Sequence, residues 1–269
     1  MSAATGGMSQ LTERSARVMA AVKLHRHVGR RRAARFLAEG PNLVEAALRR
    51  GLVSEVFATE SALDRFGALL ADAPVHLVTE RAAKALSDTV TPVGLVAVCR
   101  LPEVSLDAVL DGPAALIAVP VQLSEPGNAG TLIRVADAMG AAAVVLAGNS
   151  VDPYNSKCLR ASAGSIFSIP VISDPDETGV AQRLRDAGLR LLATTVDGEV
   201  DLDDPGLEAE LSEPTAWLFG PEAHGLPTGL AAMAHRRVQI PMAGHAESLN
   251  IASAASICLY QSARAQRRR

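Results

Sequence analysis

Three polar loops carry the side chains that could do chemistry. Residues 123–134 contain Asn128 and Arg134, residues 218–227 contain Glu222, and residues 240–252 contain Ser248 and Asn250. Each loop follows a predicted apolar strand, and the ligand sites of α/β proteins gather at the carboxyl ends of parallel strands. The three loops together therefore predict one site lined by amide, carboxylate, hydroxyl and guanidinium groups.

The third loop has two interpretations when it is taken alone. Ser248 is predicted to cap an apolar helix over residues 249–265, and a helix start offers unpaired N–H groups and a positive dipole to a ligand. An ordinary capped connection explains the same residues. A lone Glu222 is more typical of a capping acid than of a catalyst, and a lone loop histidine such as His224 or His245 is typically just exposed.

Glycines in the first loop, Gly127 and Gly130, would let the backbone approach a ligand or a packed neighbour closely. The chain contains neither G-x-G-x-x-G nor G-x-x-x-x-G-K-[ST]. A nucleotide-dependent oxidoreductase on a doubly wound sheet is disfavoured because this dinucleotide fingerprint is missing.

The elements that must position these loops form an α/β pattern in two parts. After a flexible start over residues 1–10, residues 11–101 predict a small αβα domain, with strands over 33–38, 52–58, 75–78 and 93–99. Residues 102–113 are expected to be a linker. Residues 114–269 predict a parallel-sheet domain, with strands over 114–121, 142–147, 169–172, 190–195, 216–219 and 238–240.

Charge is distributed unevenly along the chain. The net charge is −3, yet residues 1–50 hold ten arginine and lysine residues against three acidic ones. A run of basic residues is often a solvated face, but the remainder of this chain is acidic, so contact with a polyanion, nucleic acid above all, is favoured. The basic cluster comprises Arg26, Arg30, Arg31, Arg32 and Arg35. With only eight aromatic residues, a broad aromatic recognition surface is not expected.

Cys99, Cys158 and Cys258 are odd in number and lack metal-ligand spacing, so they are expected to be reduced and mostly buried. No apolar run approaches the roughly 20 residues that span a bilayer, and residues 1–20 lack a signal-peptide core. These features predict a soluble, cytoplasmic protein with no bound metal and no membrane contact.

The three loops, in this order, resemble the three signature motifs of the SpoU family of RNA ribose 2′-O-methyltransferases, which belongs to the SPOUT superfamily. Residues 157–165 (KCLRASAGS) are similar to the Arg-x-Ser-x-Gly segment of that family. Residues 36–40 (FLAEG) and 91–97 (TPVGLVA) are similar to its small substrate-binding domain, which has the fold of kink-turn-binding ribosomal proteins. The layout resembles most the thiostrepton-resistance type of ribosomal RNA methyltransferase. Glu125, where many members have Asp, is a small departure.

The resemblance implies a fold, a cofactor and a partner. The C-terminal domain would be a SPOUT domain with a deep trefoil knot that binds S-adenosylmethionine, and the protein would act as a homodimer on RNA. The cofactor is expected against Gly220, Ile240 and Leu249, with Thr194, Thr195, Leu218 and Met242 lining the same pocket.

The resemblance also implies roles in catalysis. Arg134 would act on the ribose hydroxyl and its phosphate as an activator or an electrostatic stabiliser, while Asn128, Glu222, Ser248 and Asn250 hold Arg134 and the substrate. Arg160 would clamp a phosphate, contributed across the dimer interface. The substrate is expected to be ribosomal RNA; transfer RNA, and a non-catalytic RNA-binding or assembly module on the same scaffold, are the open alternatives.

Overall fold

The computed structural model describes residues 10–268. The flexible start expected over residues 1–10 lies outside this range except for Gln10. Contacts divide the chain into two compact units after Pro102, and Tyr154–Ser156 group with the first unit. Within the described residues, no helix is both long enough and apolar enough to cross a membrane.

The first unit is a four-stranded mixed sheet with helices. Its strands are β1 Arg35–Glu39, β2 Val53–Ala58, β3 Val75–Leu77 and β4 Leu95–Arg100, and its helices are α1 Ala16–Val22, α2 His27–Ala33, α3 Pro41–Arg49, α4 Glu60–Phe66 and α5 Glu80–Leu86. The strand order is β1-β4-β2-β3. Strand β4 is antiparallel to β1 and β2, and β2 is parallel to β3. The predicted mixture of four strands and alternating helices is confirmed.

Local sequence explains where these helices begin and end. Pro41 opens α3 after Gly40, and Gly51, with φ of +64°, follows its end in the left-handed conformation that glycine adopts without strain. Thr59 and Thr79 cap α4 and α5, because each hydroxyl accepts a hydrogen bond from a backbone N–H in the first turn.

Helix α2 changes the interpretation of the basic cluster. Arg30 is only 4% exposed, and its guanidinium donates to the carbonyl oxygens of Leu24 and His25 at 2.9 Å each. A buried guanidinium that satisfies buried carbonyls is a structural group. The RNA-binding role expected for Arg30 is therefore wrong.

The second unit is built on a seven-stranded sheet of order β7-β6-β5-β10-β8-β11-β9, in which every recorded pair is parallel. Its strands are β5 Leu116–Pro120, β6 Ala143–Ala147, β7 Val171–Asp174, β8 Arg190–Thr194, β9 Val200–Asp201, β10 Thr215–Phe219 and β11 Arg236–Gln239. Its helices are α6 Leu106–Leu110, α7 Pro126–Ala138, α8 Ser156–Ser162, α9 Glu177–Asp186, α10 Pro205–Leu211, α11 Thr228–Ala231 and α12 Ile251–Arg267. The predicted parallel sheet is confirmed. The trefoil knot stays a prediction.

Two parts of the second unit differ from the sequence prediction. The segment expected to be a linker, residues 102–113, contains α6, and Leu106 is buried in the core of this unit. Strand β9 and helix α10 were not predicted. Helix α10 had a sequence signal, because Asp204 caps it and Pro205 occupies its first turn.

Helix α12 is joined to the sheet by two side-chain hydrogen bonds. The buried indole N–H of Trp217 in β10 donates to Ser262 Oγ at 2.8 Å, and, at the surface, Gln266 Nε2 donates to the carbonyl oxygen of Ala115 at 2.8 Å. A buried polar group left without a partner is costly, so the Trp217 bond above all fixes the position of α12 along the sheet. The N-terminus of α12, with the third polar loop before it, is thereby held near the strand ends.

The three cysteines are free and buried, as expected. Burial raises the pKa of Cys99 and of Cys158 to about 12, and raises the pKa of Cys258 further. These thiols therefore stay protonated. Separately, no group of His, Cys, Asp and Glu residues suited to a metal ion is present among residues 10–268.

Candidate functional site

A polar network joins the three predicted loops through one carboxylate oxygen. Oε1 of Glu222 accepts hydrogen bonds from Asn128 Nδ2 at 3.1 Å, from Asn250 Nδ2 at 2.9 Å and from the backbone N–H of Ile251 at 3.1 Å. Asn250 Nδ2 also lies 3.1 Å from Asn128 Oδ1. Asn128, Glu222 and Asn250 therefore lie together in one hydrogen-bonded network, and their role as a catalytic site stays a prediction.

The start of α12 is closed by side chains of the protein. Asn250 is the N-cap residue, and its Oδ1 accepts from the N–H groups of Ala252 at 3.0 Å and Ser253 at 3.4 Å. Ser248, predicted as the cap, lies two residues too early. Glu222 accepts a hydrogen bond from the N–H of Ile251, so the first three backbone N–H groups of the helix already have partners. The expectation that unpaired N–H groups of this helix are available to a ligand is wrong.

The helix that follows the first loop is capped by Glu125. Its side chain accepts from the N–H of Gly127 at 3.1 Å, which leaves the Asn128 amide free for the network. The hydrogen bond from Lys157, followed by that from Gly127, lowers the pKa of Glu125.

Gly130 allows close packing on α8, since a Cβ there would lie 2.4 Å from the carbonyl oxygen of Cys158.

Arg134 lies on α7 beyond Asn128 and is exposed. Its guanidinium has no hydrogen-bond or ion-pair partner among residues 10–268. Asn128, Glu222 and Asn250 were expected to hold Arg134, but they bond to one another instead. The network therefore fixes the start of the helix that carries Arg134, and its guanidinium remains available.

A pocket of about 560 Å³ lies beside the network. Its walls include six of the predicted cofactor residues together with two of the predicted catalytic ones: Thr194, Thr195, Gly220, Ile240, Met242 and Leu249, with Glu222 and Ser248. Leu218 does not line it, because its side chain is fully buried in the core and only its carbonyl oxygen meets Thr194, whose Oγ1 donates at 3.1 Å.

The pocket wall carries one unsatisfied polar atom, and a glycine shapes the loop beside it. Thr195 Oγ1 is the one buried side-chain polar atom among the described residues that has no hydrogen-bond partner. A Cβ at Gly220 would lie 2.4 Å from the backbone nitrogen of Leu226, so only glycine lets this loop fold back on itself. Buried polar groups are nearly always satisfied, and a ligand in the pocket would supply the missing partner of Thr195.

Sequence reasoning missed two charged residues of the pocket, Asp197 and Arg237. They are forty positions apart, and no motif connects them. Glu199 holds Arg237 by accepting from its backbone N–H at 3.0 Å and from its Nε–H at 2.8 Å. The backbone hydrogen bond from Arg237 is the main reason that the pKa of Glu199 is lowered.

The expected RNA-binding residues other than Arg30 are exposed. Arg26, Arg31, Arg32 and Arg35 lie in the first unit, and Arg160 lies on α8. None of these five guanidinium groups has a hydrogen-bond or ion-pair partner within residues 10–268. Free guanidinium groups of this kind suit contacts with phosphates.

Two family models match this chain. The SpoU rRNA methylase family matches residues 115–260, which contain the network and the pocket, and the MRM3-like substrate binding domain matches residues 15–97. The chain belongs to the SpoU rRNA methylase family. The predicted resemblance is confirmed, and the polar network is built from the loops that carry the family's motifs.

Characterised relatives are similar over most of their length. The 23S rRNA (guanosine(2553)-2'-O)-methyltransferase RlmP of Bacillus subtilis is 34% identical over 239 residues, which cover 88% of this chain and 92% of that protein. A crystal structure of an RNA 2'-O ribose methyltransferase has a TM-score of 0.82 and 35% identity, covering 97% of this chain and all of that one. The crystal structure of the SpoU methyltransferase AviRb from Streptomyces viridochromogenes, in complex with AdoMet, has a TM-score of 0.80 and 30% identity. The match covers 93% of this chain and 98% of that one.

Proposed function

We propose that this protein transfers a methyl group from S-adenosylmethionine to a ribose 2′-hydroxyl of ribosomal RNA, with release of S-adenosylhomocysteine and of the hydroxyl proton to solvent. The observation that carries the proposal is the position of Glu222, which lines the pocket and also joins the three motif loops by hydrogen bonds. A relative that is covered over 92% of its length is named as a 23S rRNA 2′-O-methyltransferase. Activity in the cytoplasm is part of this proposal, which assumes ribosomal RNA as the substrate.

The pocket suits S-adenosylmethionine in size and chemistry. Its volume of about 560 Å³ lies within the range of roughly 300–1,000 Å³ typical of ligand pockets. Ile240, Leu249 and Met242 offer apolar walls to a flat heterocycle, and Thr195 Oγ1 lacks a partner that a bound nucleoside would provide. When bound, the cofactor supplies an electrophilic methyl group on its sulfonium.

The polar network and Arg134 have separate tasks in this mechanism. The network ties the starts of α7 and α12 together, which makes the support of Arg134 rigid. The guanidinium of Arg134 binds the phosphate beside the target ribose and stabilises the negative charge that develops on the 2′-oxygen. Because a guanidinium keeps its protons in proteins, we assign Arg134 electrostatic stabilisation and not general-base catalysis.

The Arg134→Ala variant tests this assignment. We expect the rate of methyl transfer to fall about 100-fold to 1,000-fold, the usual effect of removing one group that stabilises transition-state charge. The affinity for S-adenosylmethionine, measured by calorimetry, should stay unchanged because Arg134 does not line the pocket. Near-normal transfer to ribosomal RNA by the variant would contradict the assignment.

Arginines of the first unit form the surface that we assign to the RNA backbone. Arg35 in β1 lies directly opposite Arg100 in β4, and both side chains are exposed. Like charges at opposite positions of a sheet destabilise it, and neither arginine has a carboxylate partner among residues 10–268. A polyanion lying across this pair would remove the repulsion. Arg26, Arg31 and Arg32 extend the surface, and Arg160 adds a phosphate contact from the second unit.

The double variant Arg35→Ala/Arg100→Ala tests the surface. The logarithm of the affinity for 23S rRNA should fall less steeply with the logarithm of salt concentration, by about 0.7 for each arginine removed if both contact single-stranded phosphates. Arg49→Ala is the matched control, because Arg49 already pairs with Glu45. An unchanged salt slope in the double variant, or an equal change in the control, would count against this surface.

Association into a homodimer through the second unit is part of the proposal. Ile257 and Tyr260 on α12 are 38% and 50% exposed and stand one turn apart, which gives this helix an apolar face. A second copy of the chain would cover it. Light scattering should find a dimer that Ile257→Asp/Tyr260→Asp converts to a monomer, and a wild-type monomer would contradict this part.

A further inference from the structure

An ion pair lies in one wall of the pocket and takes no part in the Glu222 network. Arg237 NH1 lies 3.6 Å from Asp197 Oδ2, and both residues line the pocket. Asp197 belongs to the loop after β8, and Arg237 lies in β11, the neighbouring strand. The pair therefore exists because parallel strands bring two distant parts of the chain side by side.

The guanidinium of Arg237 is fixed in direction by a second carboxylate. Glu199 accepts from the backbone N–H of Arg237 at 3.0 Å and from its Nε–H at 2.8 Å. Gly198, between the two acids, lets the loop lie flat on β11, since a Cβ there would be 2.5 Å from the backbone nitrogen of Gln239. With Nε bound to Glu199, the terminal N–H groups of Arg237 are the ones left for Asp197 and the pocket.

The contact between Asp197 and Arg237 is loose and open to exchange. The Asp197 side chain is 75% exposed, that of Arg237 is 42% exposed, and the distance is longer than a hydrogen bond. Pairs of this kind contribute little to stability. A carboxylate and a guanidinium at this spacing are complementary to a free α-amino acid, whose ammonium and carboxylate are also adjacent.

We propose that Arg237 and Asp197 bind the amino-acid end of S-adenosylmethionine, Arg237 taking the α-carboxylate and Asp197 the α-ammonium. The inference rests on the proposed function, since it assumes that this cofactor occupies the pocket. Among residues 10–268, Arg237 is the only Lys or Arg whose side chain lines the pocket. Oε1 of Glu222 already accepts three donors, so Asp197 is the carboxylate left for the ammonium.

The test compares two ligands that differ in the amino-acid end. S-adenosylhomocysteine carries it, and 5′-methylthioadenosine lacks it. We expect the wild-type protein to bind S-adenosylhomocysteine more tightly by calorimetry. Arg237→Ala should weaken its binding about tenfold or more, the usual loss for a hydrogen bond to a charged group, and leave binding of 5′-methylthioadenosine unchanged. Asp197→Asn should act in the same direction.

Arg236→Ala is the matched control on the same strand. Arg236 lies outside the pocket and pairs with Glu210, Nε to Oε1 at 3.0 Å, so its removal should change binding of neither ligand. Unchanged binding of 5′-methylthioadenosine in Arg237→Ala also shows that the pocket is still folded. Glu199→Gln should weaken only S-adenosylhomocysteine, because Arg237 then loses its fixed direction.

Three results would overturn the inference. The first is wild-type protein that binds both ligands equally well. The second is Arg237→Ala that keeps full affinity for S-adenosylhomocysteine, and the third is Arg237→Ala that loses both ligands to the same extent. Wild-type protein that binds neither ligand would refute the proposed function itself, which keeps the two failures distinguishable.

Discussion

Replacing Asn250 separates its two roles, capping α12 and bridging the loops. The Oδ1 atom accepts from the N–H groups of Ala252 and Ser253, whereas Nδ2 donates to Glu222 at 2.9 Å and approaches Asn128 Oδ1 at 3.1 Å. Asn250→Ala removes both roles. Asn250→Ser keeps a capping oxygen, because serine is among the preferred N-cap residues, and removes the bridge.

The magnitudes follow from these contacts. Loss of an N-cap costs about 0.5–2 kcal/mol, and each bridging hydrogen bond contributes about 0.5–1.5 kcal/mol. The contribution of each bridging hydrogen bond lies at the low end of this range, because Asn250 and Glu222 are exposed and water can replace part of the interaction. We expect the free energy of unfolding to fall by about 1.5–3 kcal/mol in Asn250→Ala and by about 1 kcal/mol in Asn250→Ser.

Urea unfolding followed by tryptophan fluorescence measures these values. Trp217, the one tryptophan of the chain, is fully buried in β10 of the second unit and reports on that unit. Methyl transfer to ribosomal RNA should fall in both variants, since both lose the bridge. Equal destabilisation of the two variants would refute the capping role, and full activity of Asn250→Ser would refute the need for the bridge.

Two further predictions concern stability. Burial first, and then the charges of Arg185 and Arg190, lower the pKa of His235, whose Nδ1 accepts from the N–H of Leu191 at 2.9 Å. The unfolded chain therefore binds the proton more readily, so stability is full above about pH 6.5 and falls as the pH drops below it. Urea titrations at several pH values should show a smaller fall in His235→Asn, whose Oδ1 can replace the acceptor; an equal fall would contradict the assignment. Gly130→Ala should destabilise by about 1–3 kcal/mol although alanine favours helices, because its Cβ would lie 2.6 Å from Ala161 Cβ. Gly127→Ala, whose Cβ would meet nothing closer than 3.3 Å, is its control; similar melting temperatures for the two variants would be the contrary result.

Much of the fold could be predicted from the sequence wherever an apolar pattern was long or was bounded by residues that start or end an element. The buried strands β5 and β6 lie within their predicted ranges of residues 114–121 and 142–147. Strand β9 has two residues and no readable period, so no local pattern could reveal it. Helix α10 could have been predicted from Asp204 and Pro205.

The sequence by itself determined the family, the chemistry of the three loops and the order of strands and helices along the chain. Residue types at fixed spacing along the chain decide these three properties, because each property depends on residues that are close together in the sequence. Tertiary structure alone decided that Arg30 is buried, that Asn250 and not Ser248 caps α12, and that Glu222 joins loops about a hundred residues apart. It alone placed Arg237 beside Asp197 in the pocket. Burial and contacts between distant residues are set by the order in which strands pair, and no local pattern encodes that order.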